Sequence, residues 1–236
     1  MKTYIAGSFT PETWTQHGRR WLAAVNEHKG DARVLVFQSP GLESSCEATT
    51  IPFDGTVASL IAELVKRDGV VLYAAPNVRL QAEPVEAFAA AADKFAVVER
   101  VSTTQGQPFA GSCPVYEGYW AAPCDLIDML GRVLDMSTET GCKPPFHDAN
   151  HVSYFTEHFP WFRHKLPTTE FMTVYDAQAV ADYYADPQSL RKLTAVGLDR
   201  PETKKVGVIG SVVKPTKTAL TTPSETSKML TELSIE

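Results

Sequence analysis

The sequence contains no run of apolar residues long enough to cross a membrane. A membrane-spanning helix needs about 18 to 20 consecutive apolar residues, and no window of this chain approaches that length. The first residues, MKTYIAG, also lack the long apolar region of a secretory signal. We therefore expect a cytoplasmic protein without a membrane partner.

Positive charge and cysteine are scarce as well. The chain has 22 Lys and Arg residues against 28 Asp and Glu residues, a formal net charge of -6, which does not favour unaided binding to nucleic-acid phosphates. The four cysteines include no C-x-x-C pair, which argues against a disulfide scaffold and a zinc ribbon. We expect free, mostly buried thiols at Cys46, Cys113, Cys124 and Cys142.

The glycine motifs of common α/β enzymes are missing too. No G-x-G-x-x-G follows the first predicted strand and no G-x-x-x-x-G-K-[ST] occurs, so the fingerprints of dinucleotide-binding Rossmann enzymes and of P-loop enzymes are both absent. Gly111-Ser112-Cys113 has no second glycine in register. A G-x-S-x-G nucleophile elbow is therefore not available for serine-hydrolase chemistry.

Strand and helix patterns alternate along the first hundred residues. Short β-rich or apolar runs predict strands at residues 2–6, 33–37, 49–53, 70–73 and 95–101. Apolar residues at helical spacing predict helices that begin near Pro11, at a cap formed by Asp54 or Thr56, and near Pro84. We expect Asp68-Gly69 to end the second helix. This alternation predicts a mostly parallel sheet with right-handed crossovers.

The second half of the chain does not continue this alternation of strand and helix patterns. A glycine- and aromatic-rich stretch, FAGSCPVYEGYW, precedes a predicted helix with apolar residues from Leu126 to Leu134, and further strands are predicted at 171–176 and 206–213. From Lys214 the composition is Thr, Ser, Lys and Pro rich and cannot bury a core alone. We expect one α/β domain over residues 1–213 and a polar, irregular tail over 214–236 that is mobile or packs on a protein partner.

Two predicted strand ends mark the expected ligand site. Ligands of open α/β sheets bind beyond the carboxyl ends of the parallel strands. The segments Ala6-Gly7-Ser8 and Ala74-Ala75-Pro76-Asn77 end two such strands. We expect them to lie side by side on one rim of the sheet.

Four segments resemble glycosyltransferases of the GT-A fold, nearest the type that acts on collagen lysines. Residues 71–78, VLYAAPNV, lie in register with the family's V-L-Y-x-D-x-D-V strand, and residues 109–120 with the helix after them resemble its N-S-G-x-x-x-G segment. His147-Asp148-Ala149-Asn150 resembles its D-D-Q segment, and residues 172–176 resemble its later strand ending in Leu-Asp. The resemblance spans about residues 1 to 180. It implies a GT-A-like, Rossmann-related fold with a mostly parallel central sheet flanked by helices.

The resemblance also implies a function and a set of site residues. The expected activity is transfer of a sugar from a nucleotide-sugar donor to an acceptor hydroxyl, where the acceptor is a protein, a glycan or a modified nucleic-acid base. Asp148 is the candidate general base, and Asn150, His151 and Tyr154 are candidate acceptor or sugar contacts. The candidate donor-binding residues are Ala6, Gly7, Ser8, Ala75, Asn77, Ser112 and Asp176.

The chain departs from the family at its metal-binding carboxylates. Ala75 and Asn77 stand where the family has Asp-x-Asp, and one amide carbonyl cannot hold Mn²⁺ or Mg²⁺ alone. We therefore expect no metal clamp, and the charge of a donor diphosphate would have to be offset by Lys, Arg or backbone amides. The candidate cations are Arg79, Lys204, Lys205, Lys214 and Lys217. For each of them, a solvated charge at the protein surface is the simpler interpretation.

Other interpretations stay open. The alternative to an enzyme is a catalytically inactive GT-A-like module for binding or assembly, for example in a viral particle in a host cytoplasm. His147 and His151 have the i, i+4 spacing of a zinc hydrolase with Asp148 between them, whereas Asp148 or Asn150 could simply cap the following helix. The aromatic residues from Tyr154 to Phe162 could form a stacking platform or part of the core.

Overall fold

A mostly parallel sheet of seven strands lies at the centre of this protein. The computed structural model describes residues 1–39, 48–99, 115–139, 151–167, 170–174 and 193–198, all of which belong to one compact unit that spans Met1–Pro201. The strands are β1 (Thr3–Phe9), β2 (Arg33–Gln38), β3 (Thr49–Pro52), β4 (Val70–Ala74), β5 (Val78–Leu80), β6 (Phe95–Glu99), β7 (Val115–Pro123), β8 (Arg163–Lys165), β9 (Phe171–Val174) and β10 (Ala195–Leu198).

The larger sheet has the strand order β3-β2-β1-β4-β7-β6-β8. Strand β7 is antiparallel to both of its neighbours, and the other pairings are parallel. A smaller sheet has the order β5-β10-β9, with β5 antiparallel to β10. The predicted α/β class with a mostly parallel central sheet is therefore confirmed. The strand predicted at 206–213 and the tail at 214–236 lie outside the described residues.

The helices connect and cover these strands. They are α1 (Pro11–Thr13), a π-helical turn (Trp14–Gly18), α2 (Arg19–His28), α3 (Val57–Leu64), α4 (Val85–Ala90), α5 (Cys124–Glu139), α6 (His151–His158) and a 3₁₀ turn (Pro160–Phe162). Of the described helices, none is long and apolar enough to span a membrane.

Local sequence explains the starts of α1 and α3. The Thr10 side chain accepts from Thr13 N–H and the Thr13 hydroxyl accepts from Thr10 N–H, a capping box ahead of α1. Of the two candidate caps for α3, Thr56 is the N-cap, and Asp54 Oδ1 accepts from its N–H and hydroxyl at 2.8 Å each.

The prediction that Asp68-Gly69 ends α3 was wrong, because the helix ends at Leu64. Gly69 instead precedes β4, with φ of 126°. A Cβ atom there would lie 2.1 Å from the Lys2 carbonyl oxygen, so the close approach of these two segments requires glycine.

Hydrophobic cores fill both faces of the larger sheet. On one face, Trp21 and Val25 of α2 and Ala87 and Phe88 of α4 pack with Ile5, Leu72 and residues of the smaller sheet. On the other face, residues of α3, α5 and α6 pack with Ala6, Val71 and Trp120. Burial on both faces accounts for the near-continuous apolar runs of β2 and β4.

Cys124 is the cysteine within the described residues, and it is a free, buried thiol as expected. Burial, with smaller contributions from the charges of Asp125 and Asp68, raises the pKa of this thiol to about 11. It is therefore protonated at neutral pH and poorly suited to act as a nucleophile. Cys46, Cys113 and Cys142 lie outside the described residues.

The packing of Trp21 on Gly7 joins α2 to the sheet. A Cβ atom at Gly7 would lie 2.6 Å from Cζ2 of Trp21 and 3.1 Å from the Ala74 carbonyl oxygen. Trp21 Nε1 donates to that same carbonyl at 3.1 Å. The indole therefore occupies the space that a side chain at position 7 would need.

We predict that Gly7→Ala destabilises the protein by about 2 kcal/mol, because the added methyl group overpacks this contact. The measurement is urea unfolding. In a Trp21→Phe background, which removes the part of the indole nearest Gly7, the same substitution should cost about 1 kcal/mol less. A Gly7→Ala variant as stable as the wild type would show that the indole does not exclude a side chain here.

A buried acid joins β7 to the residues that flank the smaller sheet. Glu170 is 3% exposed, its Oε1 accepts from the Tyr119 hydroxyl at 3.0 Å and its Oε2 accepts from the Thr194 hydroxyl at 2.9 Å. Burial raises the pKa of Glu170 above its usual range, even though these hydrogen bonds oppose the shift. The folded state therefore binds this proton more tightly than the unfolded state does.

The raised pKa of Glu170 predicts a contribution to stability that is fully present below about pH 4.5, the ordinary value, and lost as the pH rises through the higher value of the folded state. Glu170→Gln, which stays neutral, should therefore lose less stability than the wild type between pH 4.5 and 7. Urea unfolding across this range measures the difference, with the exposed Glu157→Gln as control. Superimposable pH profiles for Glu170→Gln and the wild type would contradict the assignment.

Candidate functional site

The carboxyl ends of β1 and β4 lie side by side, as the sequence predicted. Ala6 of β1 pairs with Tyr73 of β4 in the parallel ladder. Strand β7 begins at the same rim because it runs in the opposite direction, and the Ala75 N–H donates to the Gly118 carbonyl at 2.8 Å. The first residues of β7 therefore lie beside the segment that follows β4.

The three predicted donor-binding residues of β1 differ in what they can contact. Ala6 is fully buried and Gly7 is covered by Trp21. Ser8 is half-buried, and its hydroxyl lies 2.8 Å from the hydroxyl of Tyr73. Ser8 is thus the residue of this segment whose side chain can contact a ligand at the rim.

Tyr73 extends this polar edge toward β7. Burial raises the pKa of its hydroxyl, the nearby negative charge of Glu117 raises it further, and the hydrogen bond to Ser8 has the opposite effect. Tyr73 therefore stays protonated at neutral pH and can donate a hydrogen bond. Its ring stacks on Trp120, with centroids 5.3 Å apart, which fixes the direction of the hydroxyl.

Beyond β4 the chain makes a tight turn. The Val78 N–H donates to the Ala75 carbonyl at 2.9 Å, and the Leu198 N–H donates to the Asn77 carbonyl at 3.0 Å. Pro76 occupies the second position of this turn, where its fixed φ is favourable. We call residues 75–78 the rim turn.

The Asn77 side chain points to an aromatic hydroxyl. Its Nδ2 donates to Tyr116 Oη at 3.1 Å. The Tyr116 ring stacks on Phe171 with centroids 4.9 Å apart, and a Cβ atom at Gly118 would lie 2.6 Å from Cε1 of Tyr116. The tyrosine is therefore held firmly beside the rim turn by the stacked ring and by the absence of a side chain at position 118.

This donor set does not fit a divalent metal. Ala75 provides no side-chain oxygen, and Asn77 is engaged by Tyr116. Among the residues that the structure describes, no three His, Cys, Asp or Glu side chains converge as a metal site would require.

Arg79 is buried, although its charge favoured a solvated position at the protein surface. It is 4% exposed, because β5 is buried along its whole length. Its Nη1 donates to the carbonyls of Pro76 and Val78 at 2.7 and 2.8 Å, and its Nη2 lies 3.2 Å from His17 Nδ1. A guanidinium group thus lies directly against the rim turn. The other candidate cations, Lys204, Lys205, Lys214 and Lys217, lie outside the described residues.

Glu117 is a site residue that the sequence interpretation missed. Its side chain is 10% exposed, and its two carboxylate oxygens accept from the N–H groups of Val152 and Ser153 at 3.1 and 2.6 Å. His151 Nδ1 is 3.6 Å from Glu117 Oε2. A carboxylate from β7 therefore binds the amino end of α6, where the helix dipole favours negative charge.

Several predicted site residues lie outside the described part of the chain, namely Ser112 and Asp176 of the donor group, Asp148 and Asn150 of the acceptor side, and His147 of the alternative zinc site. His151 is the first residue of α6 and is 8% exposed. Tyr154 is half-buried and stacks on His158 with centroids 3.7 Å apart. The aromatic residues after it differ in exposure, because Phe155 is fully buried in the core whereas Trp161 is 62% exposed.

Gln38, at the carboxyl end of β2, is a second residue that the sequence interpretation missed. It pairs with Phe9 of β1 and is 2% exposed. Neither amide atom of its side chain has a hydrogen-bond partner in the described part of the chain. An unpaired buried amide is unfavourable, so this side chain offers a donor and an acceptor close to the rim.

We predict that Glu117→Gln destabilises the protein by about 1 to 2 kcal/mol. The substitution removes one of the two acceptor oxygens and the negative charge at the amino end of α6. Glu157→Gln, an exposed change on the same helix, should stay within about 0.5 kcal/mol of the wild type. Urea unfolding at pH 7 measures both variants, and equal stabilities for the two would mean that Glu117 does not hold the helix.

Comparison with protein-family models and with curated proteins adds no relative. The chain matches no protein-family model, and no curated protein is significantly similar to it. Three features of the rim bear on function: a tyrosine and a serine that share a hydrogen bond, a carboxylate on the amino end of α6, and a buried guanidinium against the rim turn.

Proposed function

We propose that this protein is a GT-A-like glycosyltransferase that binds a nucleotide-sugar on the rim and transfers the sugar to an acceptor hydroxyl without an Asp-x-Asp metal clamp. The observation that carries the proposal is the buried guanidinium of Arg79, whose Nη1 donates to two carbonyls of the rim turn. This turn replaces the segment in which the resembled family holds its metal. A fixed cation there would serve the same electrostatic purpose as the missing metal.

The arrangement of polar groups supports a ligand at this place. Ser8 and Tyr73 provide hydroxyl groups at the ends of β1 and β4, and Gln38 provides an amide at the end of β2. These strands are consecutive in the sheet, so their carboxyl ends form one continuous edge. Polar side chains along the carboxyl edge of a parallel sheet are typical of a ligand site.

The positive charge of Arg79 is relevant to the leaving group. During transfer, the acceptor oxygen forms a bond to the anomeric carbon and the bond from that carbon to the phosphate oxygen breaks, so the electron pair leaves with the nucleoside diphosphate. A cation fixed in a dry environment stabilises this developing charge more strongly than a solvated one does. Arg79 meets that condition because it is 4% exposed.

The acceptor side of the proposal follows from the resemblance. Asp148 takes the proton from the acceptor hydroxyl as general base. Asn150, His151 and Tyr154 orient the sugar or the acceptor, and Ser112 and Asp176 contact the donor. Glu117 holds the start of the helix that carries His151 and Tyr154, so it acts as a positioning residue for this group.

A binding or assembly module without catalysis is the second candidate. The observation that favours it is the hydrogen bond between Asn77 and Tyr116. The resembled family has an acid at the position of Asn77, and here the amide at that position is bound to a tyrosine that packs on Phe171. Such a module would keep the fold and the rim but would not turn over a nucleotide-sugar.

Thermal unfolding with a panel of nucleotide-sugars, each in Mn²⁺ and in EDTA, tests the proposal. A donor present at ten times its Kd should stabilise the protein by about 1.4 kcal/mol, which corresponds to a shift in Tm of roughly 3 to 6 °C for a domain of this size. The shift should persist in EDTA. The absence of a shift with every nucleotide would overturn the transferase and favour the module, and a requirement for metal would instead favour the His147 and His151 zinc site.

Release of nucleoside diphosphate in the presence of an acceptor measures turnover for the same protein. Asp148→Asn should lower kcat by about 100-fold or more while leaving the nucleotide-induced shift in Tm unchanged, because a general base acts in the chemical step. Asp135→Asn, an exposed change on α5, is the matched control. If the Asp148→Asn variant transfers the sugar as fast as the wild type does, Asp148 is not the general base.

A further inference from the structure

A polar cavity lies next to the rim, on the segment that follows β1. Its volume is about 550 Å³. Trp14 lies edge-on to Phe9, the last residue of β1, with ring centroids 5.1 Å apart. The described residues that line the cavity are Trp14, Thr15, Gln16, His17, Arg19 and Arg20.

The backbone of this segment is unusual. Residues Trp14–Gly18 form a π-helical turn between α1 and α2, and π-helical turns are rare and occur frequently at functional sites. Gly18 is required within it, because a Cβ atom there would lie 2.5 Å from the indole of Trp14. The glycine allows the Trp14 ring to pack down on the helix and form one wall of the cavity.

The charge of the cavity is positive. Arg19 and Arg20 are exposed, and no Asp or Glu occurs among the described lining residues. His17 connects the cavity to the rim turn, because its Nδ1 lies 3.2 Å from Nη2 of the buried Arg79. Arg19 and Arg20 therefore line the cavity, and the buried guanidinium group of Arg79 lies next to it, against His17.

We propose that this cavity binds the diphosphate group of a phosphorylated ligand. Arg19 and Arg20 contact the phosphate oxygens, and Arg79, which His17 and the carbonyls of the rim turn hold in place, supplies a fixed positive charge. Arginine suits this task because its planar donors match phosphate oxygens in pairs. The proposal rests on the proposed function, since the diphosphate is that of the nucleotide-sugar donor, and it names the residues that replace the metal.

Calorimetric titration with inorganic pyrophosphate in EDTA tests this site without any sugar or base. The wild type should bind pyrophosphate, and the double variant Arg19→Gln, Arg20→Gln should bind it at least tenfold more weakly. Both positions are exposed, so the variant should fold normally. Arg33→Gln is the matched control, because Arg33 is an exposed arginine at the opposite, amino end of β2, and its Kd should stay within about twofold of the wild type.

Arg79 is tested separately because its burial makes substitution risky. Arg79→Lys keeps the positive charge but loses the guanidinium contacts to the rim turn and His17 that hold it in place. It should therefore weaken pyrophosphate binding at least fivefold while circular dichroism confirms the fold. No binding of pyrophosphate to the wild type, or equal binding by the wild type and the Arg19, Arg20 double variant, would overturn the proposal.

The same titration with a nucleoside diphosphate separates this proposal from the transferase. If the double variant binds the nucleoside diphosphate as tightly as the wild type does, the cavity is not the diphosphate site, although the transferase can still be correct. If pyrophosphate binding depends on Arg19 and Arg20 but no nucleotide-sugar is bound or turned over, the cavity is an anion-binding site and the proposed function is wrong.

Discussion

The contact between Trp21, Gly7 and Ala74 sets the geometry of the rim. The indole fills the space over Gly7 and donates a hydrogen bond to the Ala74 carbonyl, so α2 is fixed against β1 and β4 at the point where both strands end. This contact determines where the π-helical turn and its cavity lie, because they directly precede α2. It also holds the last residue of β4, from which the rim turn starts. A larger residue at position 7 would separate these elements.

The antiparallel direction of β7 brings a second group of side chains to the same edge. A strand parallel to β4 would place its first residues at the opposite end of the sheet. Because β7 runs the other way, Tyr116 and Glu117 lie beside the rim turn, where Tyr116 binds Asn77 and Glu117 binds the amino end of α6. The topology therefore joins residues that are about forty positions apart in the chain into one polar edge.

Under the proposed function, Arg79 takes the place of the metal that the resembled family binds. Ala75 and Asn77 provide no carboxylate for a hard cation, so a diphosphate bound at this place would need another counter-charge. The guanidinium of Arg79 is itself a permanent positive charge, and the carbonyls of the rim turn orient it. Burial of a guanidinium group is unfavourable unless it is hydrogen-bonded, and the bonds from Nη1 to the carbonyls of Pro76 and Val78 offset part of that cost.

The sequence predicts the α/β class, the first strands and helices, and the neighbouring carboxyl ends of β1 and β4, because apolar periodicity and turn residues act locally and parallel strands end at one edge. It could not determine the short strands β5, β8 and β10, whose three or four residues carry little periodicity and form only by pairing with distant strands. Tertiary structure alone decided the burial of Arg79, which pattern reasoning assigned to the surface, and the capping of α6 by Glu117. Both depend on contacts between residues far apart in the chain, such as Arg79 with His17 and Glu117 with Ser153, and no local pattern encodes them.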